Sequence, residues 1–205
     1  MSPVTRGFFG RRRIPPELAD RVPPGQYVET GFPVLTAGPT PRVAEGEYAL
    51  TIEGLVGSAR TWTLPELRAL PPSTFAGDIH CVTTWSKLGT SFGGVSVDTL
   101  LEAVAPRPEA THVVVSSYGG YTTNLPLEDV TGGKAWVVWE FDGKPLAKGH
   151  GGPVRLLVPH LYFWKSAKWI TRLELMDRDR PGFWEQNGYH DRGDPWLEQR
   201  YQGDP

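Results

Sequence analysis

The chain is predicted to fold as an α+β protein built from mixed β-sheets with short helices and many loops. Six segments of four to seven residues either alternate apolar and polar side chains or run through β-branched and aromatic ones, as strands do. Helical periodicity is confined to two short stretches. The 24 Gly and 20 Pro among 205 residues exceed ordinary usage and supply the turns that a many-stranded chain needs.

In chain order, residues 1–47 are rich in proline and glycine with little sustained periodicity, and are expected to form an extended N-terminal arm packed on the domain, with Phe32-Pro33-Val34-Leu35 docked. Tyr48-Ala49-Leu50-Thr51-Ile52-Glu53-Gly54 alternates and ends on glycine, predicting a half-buried strand, and Thr61-Trp62-Thr63-Leu64 predicts a second. Thr63 with Glu66 three residues on forms a capping box, with Pro65 in the first turn, so a short helix runs on to Leu70. Cys81 follows a short alternation and precedes a loop rich in Gly and Ser.

Further on, Val97, Leu100, Leu101 and Val104 share one helical face, and Pro106 ends that helix. The runs 112–117, 135–140 and 154–158 read as central strands, and 169–175 as another. Residues 48–177 thus form the core. Residues 178–205 become polar and aromatic, predicting a tail packed back on it through Trp184, Trp196 and Tyr201, with His190 and Asp191 in a polar loop and not in a metal site.

A net charge of −2 and a pI of about 6.2 give no electrostatic footprint for nucleic acid or an anionic membrane. One cysteine permits no intramolecular disulfide. Arg11-Arg12-Arg13 is followed by Ile14-Pro15-Pro16 in place of an apolar segment, so it does not read as an export signal, and no stretch approaches the roughly 20 apolar residues of a spanning helix. The expectation is a cytoplasmic protein.

By itself Cys81 reads most simply as a small buried hydrophobe. A nucleophilic cysteine paired with histidine is a second reading, although adjacent His80 would point to the opposite strand face. Zinc is a third, but a second cysteine and a His-x-x-x-His spacing are lacking.

The downstream run Gly149-His150-Gly151-Gly152-Pro153-Val154-Arg155, followed by Lys165-Ser166-Ala167-Lys168, changes that balance. Together with Cys81 and Trp85 it resembles the molybdopterin-binding oxidoreductases of the sulfite oxidase type, in which a G-x-P-x-R strand and a K-x-x-K loop hold the pterin and its phosphate, and a C-x-x-x-W segment supplies a cysteine to molybdenum. The resemblance spans roughly residues 45–177 in the same order. Within the family it is nearest to the methionine-sulfoxide reductase catalytic subunits and their short relatives. Val82-Thr83-Thr84-Trp85-Ser86 lacks the arginines that animal and plant sulfite oxidases carry after the cysteine, and the 28 residues after Asp177 are too few for their dimerisation domain.

The resemblance implies Mo-molybdopterin as cofactor and Cys81 as metal ligand and catalytic residue. One protein sulfur is enough because the pterin dithiolene supplies two more, and a soft thiolate suits a metal that cycles between oxidation states. Arg155, Ser166, Ala167 and Lys168 are then expected to grip the phosphate, by a planar fork, a point charge and backbone N–H groups. Thr36, Ser117 and His150 are expected to touch the pterin, with Val34 near it. Trp85, Tyr118, Tyr121, His160, Tyr162 and Trp164 are expected to wall a substrate funnel.

The implied activity is two-electron oxygen-atom transfer or reduction on a small substrate: a sulfoxide, sulfite or a related oxyanion. No haem-attachment, iron–sulfur or dinucleotide motif is present, so electrons would pass to or from a separate protein or diffusible redox cofactor. A cofactor-free binding module with the same fold and a cysteine hydrolase are the alternatives.

Overall fold

The computed structural model describes residues 14–205; the Arg11–Arg13 run and the first part of the arm lie outside them. The arm contributes a two-residue strand, β1 (Tyr27–Val28). Then come β2 (Ala49–Gly54), β3 (Arg60–Thr63), α1 (Leu64–Arg68), β4 (Ser73–His80), β5 (Trp85–Ser96) and α2 (Val97–Glu102). The second half runs β6 (His112–Ser117), β7 (Thr122–Pro126), β8 (Trp136–Phe141), β9 (Lys144–Pro145), β10 (Arg155–Leu157), β11 (Ile170–Met176) and α3 (Phe183–Gln186).

Two sheets result. One is ordered β3-β2-β11-β6-β7, with β2 and β11 parallel. The other runs β1-β5-β8-β10, with β4 added on β5 and β9 on β8. Thr63 caps α1 through the anticipated capping box, and Ser96 caps α2 by accepting from the Asp98 N–H. Both helices end two residues short of the predicted limits, at Arg68 and Glu102.

β4, β7 and the long β5 were not legible as strands. The supposed Gly- and Ser-rich loop after Cys81 is β5, paired to β4, β8 and β1. Its glycines belong there for a steric reason. A Cβ on Gly94 would sit 2.1 Å from the Val137 carbonyl oxygen, at the point where the β5–β8 register shifts between Gly93 and Gly94.

Alternation along β8 divides the interior. Val137 and Trp139 join the main cluster with Leu50, Ile52, Trp62, Leu100 and Val115, whereas Val138 faces a second cluster of Ile79, Trp85, Phe92, Leu157 and Cys81. Phe32 from the arm and Phe163 pack on that second cluster, which floors the site described below.

Of the aromatics expected to hold the tail, Trp196 and Tyr201 are about half exposed while Trp184 is partly buried against Tyr189, and an ionic anchor holds the tail as well. Asp129 is buried and accepts from Arg192 Nε at 3.1 Å and Nη2 at 3.2 Å, and from His160 Nε2 at 3.1 Å. Burial alone would raise its pKa, but His160 and Arg192 reverse that and lower it from 3.8 to about 2. A carboxyl whose folded pKa is depressed adds stability above its unfolded value, and that stability disappears as pH falls through the folded one. Denaturant titrations should therefore show the wild type losing on the order of 2 kcal/mol between pH 4 and pH 2 that Asp129→Asn does not lose; parallel acid profiles would exclude this anchor.

Candidate cofactor and active site

The β10 strand brings the distant motifs together. Arg155 and Lys168 face each other across an antiparallel bridge, and the Leu156 N–H donates to the Ala167 carbonyl at 2.8 Å. Gly151 lies against both, with φ +111°; a Cβ there would stand 2.9 Å from Arg155 Cβ and 3.2 Å from Lys168 Cβ. The glycine run is therefore what lets two cations share one corner.

Arg155 is 1% exposed, with its guanidinium 4.1 Å from the Phe163 ring centroid. It donates to the carbonyls of Leu156, His150 and Ser166. Lys168 Nζ donates to the carbonyls of Leu35 at 2.8 Å and Gly149 at 2.7 Å. Neither cation pairs with a carboxylate among the described residues, and residues 1–13 contain no Asp or Glu. Burial lowers the Arg155 pKa to about 9, and burial together with Arg155 lowers that of Lys168 to about 8. One buried and one half-buried cation on the same corner, neither paired with a carboxylate among the described residues, call for an anion.

Cys81 follows β4 in a tight turn: its N–H donates to the Trp85 carbonyl at 2.8 Å, and the Thr84 N–H returns to the Cys81 carbonyl at 3.0 Å. The Sγ lies 3.1 Å from Thr83 Oγ1. Burial pushes the thiol pKa up, while Thr83, Arg200 and Lys168 pull it down. Arg200, from the tail, braces this turn by donating to the Val82 carbonyl at 2.8 Å.

A cavity of about 300 Å³ joins the two corners. Cys81, Thr36, His150, Arg155, Ser166, Ala167 and Lys168 all line it, and Trp85, Tyr118, Tyr121 and Trp164 complete the anticipated wall. His150 stacks on Phe32 with centroids 3.9 Å apart, and burial with the nearby Arg155 and Lys168 lowers its pKa to about 4, leaving it neutral at pH 7.

Four anticipated residues are not at the cavity. Ser117 ends β6 outside the lining that Tyr118 joins, its Oγ buried without a partner among the described residues. His160 is taken by Asp129. Tyr162 stacks on Trp164 with ring centroids 5.4 Å apart, and the Arg200 guanidinium lies 5.1 Å from the Tyr162 ring centroid. Val34 lies over Gly149, half exposed, outside the lining. Lys165, the first lysine of the K-x-x-K loop, is likewise withdrawn: it is fully buried and paired to Glu185 at 2.7 Å. The sequence reading missed Phe32, Phe163, Phe183, Trp184 and Tyr189, which also line the cavity. The clustering of Trp184 and Tyr189 in an otherwise polar tail was the available signal.

These residues fit a pterin cofactor with a phosphate. The cations would supply its anion corner, and Trp85, whose buried Nε1–H has no partner among the described residues, lines the same cavity. Cys81 would supply the single soft ligand, and no group of three or more His, Cys, Asp or Glu side chains among the described residues could hold a metal unaided.

The site and fold thus define a cofactor-dependent oxidoreductase of the pterin-binding kind. The chain belongs to the oxidoreductase molybdopterin-binding domain family, whose profile matches residues 37–184, and its cofactor is Mo-molybdopterin. It is 40% identical over 198 residues to the uncharacterized oxidoreductase YuiH of Bacillus subtilis (strain 168), covering 96% of this chain and 100% of that one. It is 26% identical to the mitochondrial sulfite oxidase of Drosophila melanogaster, covering 74% of this chain but 31% of the relative. The sulfane dehydrogenase SoxCD from Paracoccus pantotrophus superposes with a TM-score of 0.64 at 21% identity, over 73% of this chain and 42% of that one, and shares the fold.

Proposed function

We propose that the protein carries out two-electron oxygen-atom transfer or reduction on a small molecule, exchanging electrons with a separate carrier. The observation that carries this reading is one cavity with a lone buried thiol at one corner and, at another, the buried Arg155 and half-buried Lys168, neither with a carboxylate partner among the described residues. When bound, the cofactor supplies the redox chemistry.

The chain's own residues bind, orient and shield. Arg155 has five N–H donors, of which three are spent on carbonyls, so two remain for a phosphate. Lys168 retains one of its three. Ser166 Oγ accepts from the Val158 N–H at 2.8 Å and so fixes the Ser166–Lys168 loop under the phosphate corner. Neutral His150 offers a ring without adding a third positive charge. The aromatic second cluster beneath Cys81 keeps water from the sulfur.

A cysteine hydrolase is disfavoured by geometry. His80 Nδ1 is hydrogen-bonded to Ser86 Oγ at 2.8 Å, and the thiol's own side-chain contact is to a threonine. Protein purified from a host competent to make the cofactor should contain close to one molybdenum per chain, with Cys81→Ser losing the metal or changing its electronic spectrum. Metal-free wild-type protein from such a host would sink the proposal.

A further inference from the structure

The turn that presents Cys81 is bent against its own preference. Thr84, a β-branched residue, stands in the left-handed region at φ +75°, a conformation that persists only where the surrounding structure over-determines it. Two backbone hydrogen bonds run within the turn, from the Cys81 N–H to the Trp85 carbonyl and from the Thr84 N–H to the Cys81 carbonyl. Further restraint comes from the two ends of the chain.

From the arm, Gln26 is 6% exposed and donates from Nε2 to the Cys81 carbonyl at 3.1 Å, while its Oε1 accepts from Ser86 Oγ at 3.4 Å. Ser86 is itself fully buried and bonded to His80 Nδ1, so the amide is oriented before it meets the turn. The next residue, Tyr27, donates its N–H to the Thr84 carbonyl at 2.9 Å. From the tail, Arg200 donates from Nη1 to the Val82 carbonyl at 2.8 Å. Its Nη2 reaches the Pro24 carbonyl at 3.4 Å, with Glu198 3.6 Å away, so the guanidinium also joins the tail to the arm just before Gln26.

The carbonyls of Cys81, Val82 and Thr84 therefore each have a donor from outside the turn. Neither Gln26 nor Arg200 lines the cavity, and both stand outside the matched family segment of residues 37–184. We propose that Gln26 and Arg200 are positioning residues that act through the turn: gripping adjacent carbonyls, one from each end of the chain, they fix the direction in which Cys81 presents its sulfur to the cofactor. This rests on the reading of Cys81 as the metal ligand.

Arg200→Met and Gln26→Met keep the length of each side chain and remove its donors. In the cofactor-free full chain, amide exchange across residues 81–85 should quicken about tenfold in each variant, as loss of one buried hydrogen bond implies, while exchange in β6 and β11 stays as in the wild type. In the molybdenum-loaded protein, the visible absorption that Cys81 contributes should shift or vanish in both, and Arg200→Lys, which restores one donor, should recover it. Arg21→Met cuts the surface pair with Asp78 that attaches the same arm at 2.6 Å, and should alter neither readout. Wild-type exchange in the turn, exchange raised equally across both sheets, an absorption that Cys81→Ser changes but Arg200→Met and Gln26→Met do not, or equal effects from Arg21→Met would overturn the proposal. Cys81→Ser keeps the two readings apart: an unchanged spectrum there counts against Cys81 as ligand, whereas turn exchange judges Gln26 and Arg200 without any metal.

Discussion

Arg155→Met is expected to strip the protein of its cofactor while leaving the cofactor-free fold as stable as before, or more so. Two charge-assisted hydrogen bonds to a phosphate are worth about 3–6 kcal/mol together, which corresponds to roughly 10²- to 10⁴-fold in affinity. In the absence of an anion the same guanidinium is a buried charge with only carbonyls and the Phe163 ring for company, and burial lowers its pKa from 12.5 to about 9. Methionine removes the buried charge and fills similar space, although three carbonyls lose a donor. Molybdenum content and thermal unfolding of cofactor-free samples test both halves. Normal molybdenum in the variant would remove Arg155 from the site, and collapse of the fold would make it a structural residue.

The second large effect is expected at Glu185. Its carboxylate is fully buried, 2.7 Å from Lys165 Nζ, and accepts from Trp164 Nε1 at 2.9 Å and Thr123 Oγ1 at 3.0 Å. Lys165 also donates to the carbonyls of Asn124 and Asp191, so one pair ties α3, β7 and the tail to the loop after β10. Burial lowers the Lys165 pKa and Glu185 opposes that shift. Glu185→Ala leaves an ammonium ion buried without its counter-ion, at a cost of about 3–5 kcal/mol, or roughly 10 °C in Tm for a chain of this size. Lys165→Met combined with Glu185→Leu should recover a good part of that loss, because the stranded charge goes too. A single variant no less stable than the double would show that the pair is not the anchor. Since Trp164 hangs from Glu185, the single variant should also loosen the aromatic wall.

Much of the fold was legible because local chemistry and tertiary context agree. The Thr63–Glu66 capping box, the alternation along β2 and the apolar runs of β6, β8 and β10 each have one sensible reading. β5 was hidden because Gly93 and Gly94 look like loop residues until the close approach of β8 is known. The phosphate corner was visible in the spacing from Gly149 to Lys168. The roles of Lys165 and His160 were not, because the partners that claim them, Glu185 and Asp129, are distant in sequence and had no motif of their own. Tyr162 and Trp164 are two residues apart, yet only Trp164 reaches the cavity; in a non-helical loop no periodicity decides between such neighbours.

Lys168 holds the arm through the Leu35 carbonyl and the glycine turn through Gly149, and in the proposed reading its third donor serves the phosphate. One ammonium group therefore couples the roof of the cavity to its contents. By reciprocity, any change that seats the arm more firmly tightens the grip on the cofactor by the same factor that the cofactor tightens the arm. Filling the site and closing it are two descriptions of a single equilibrium.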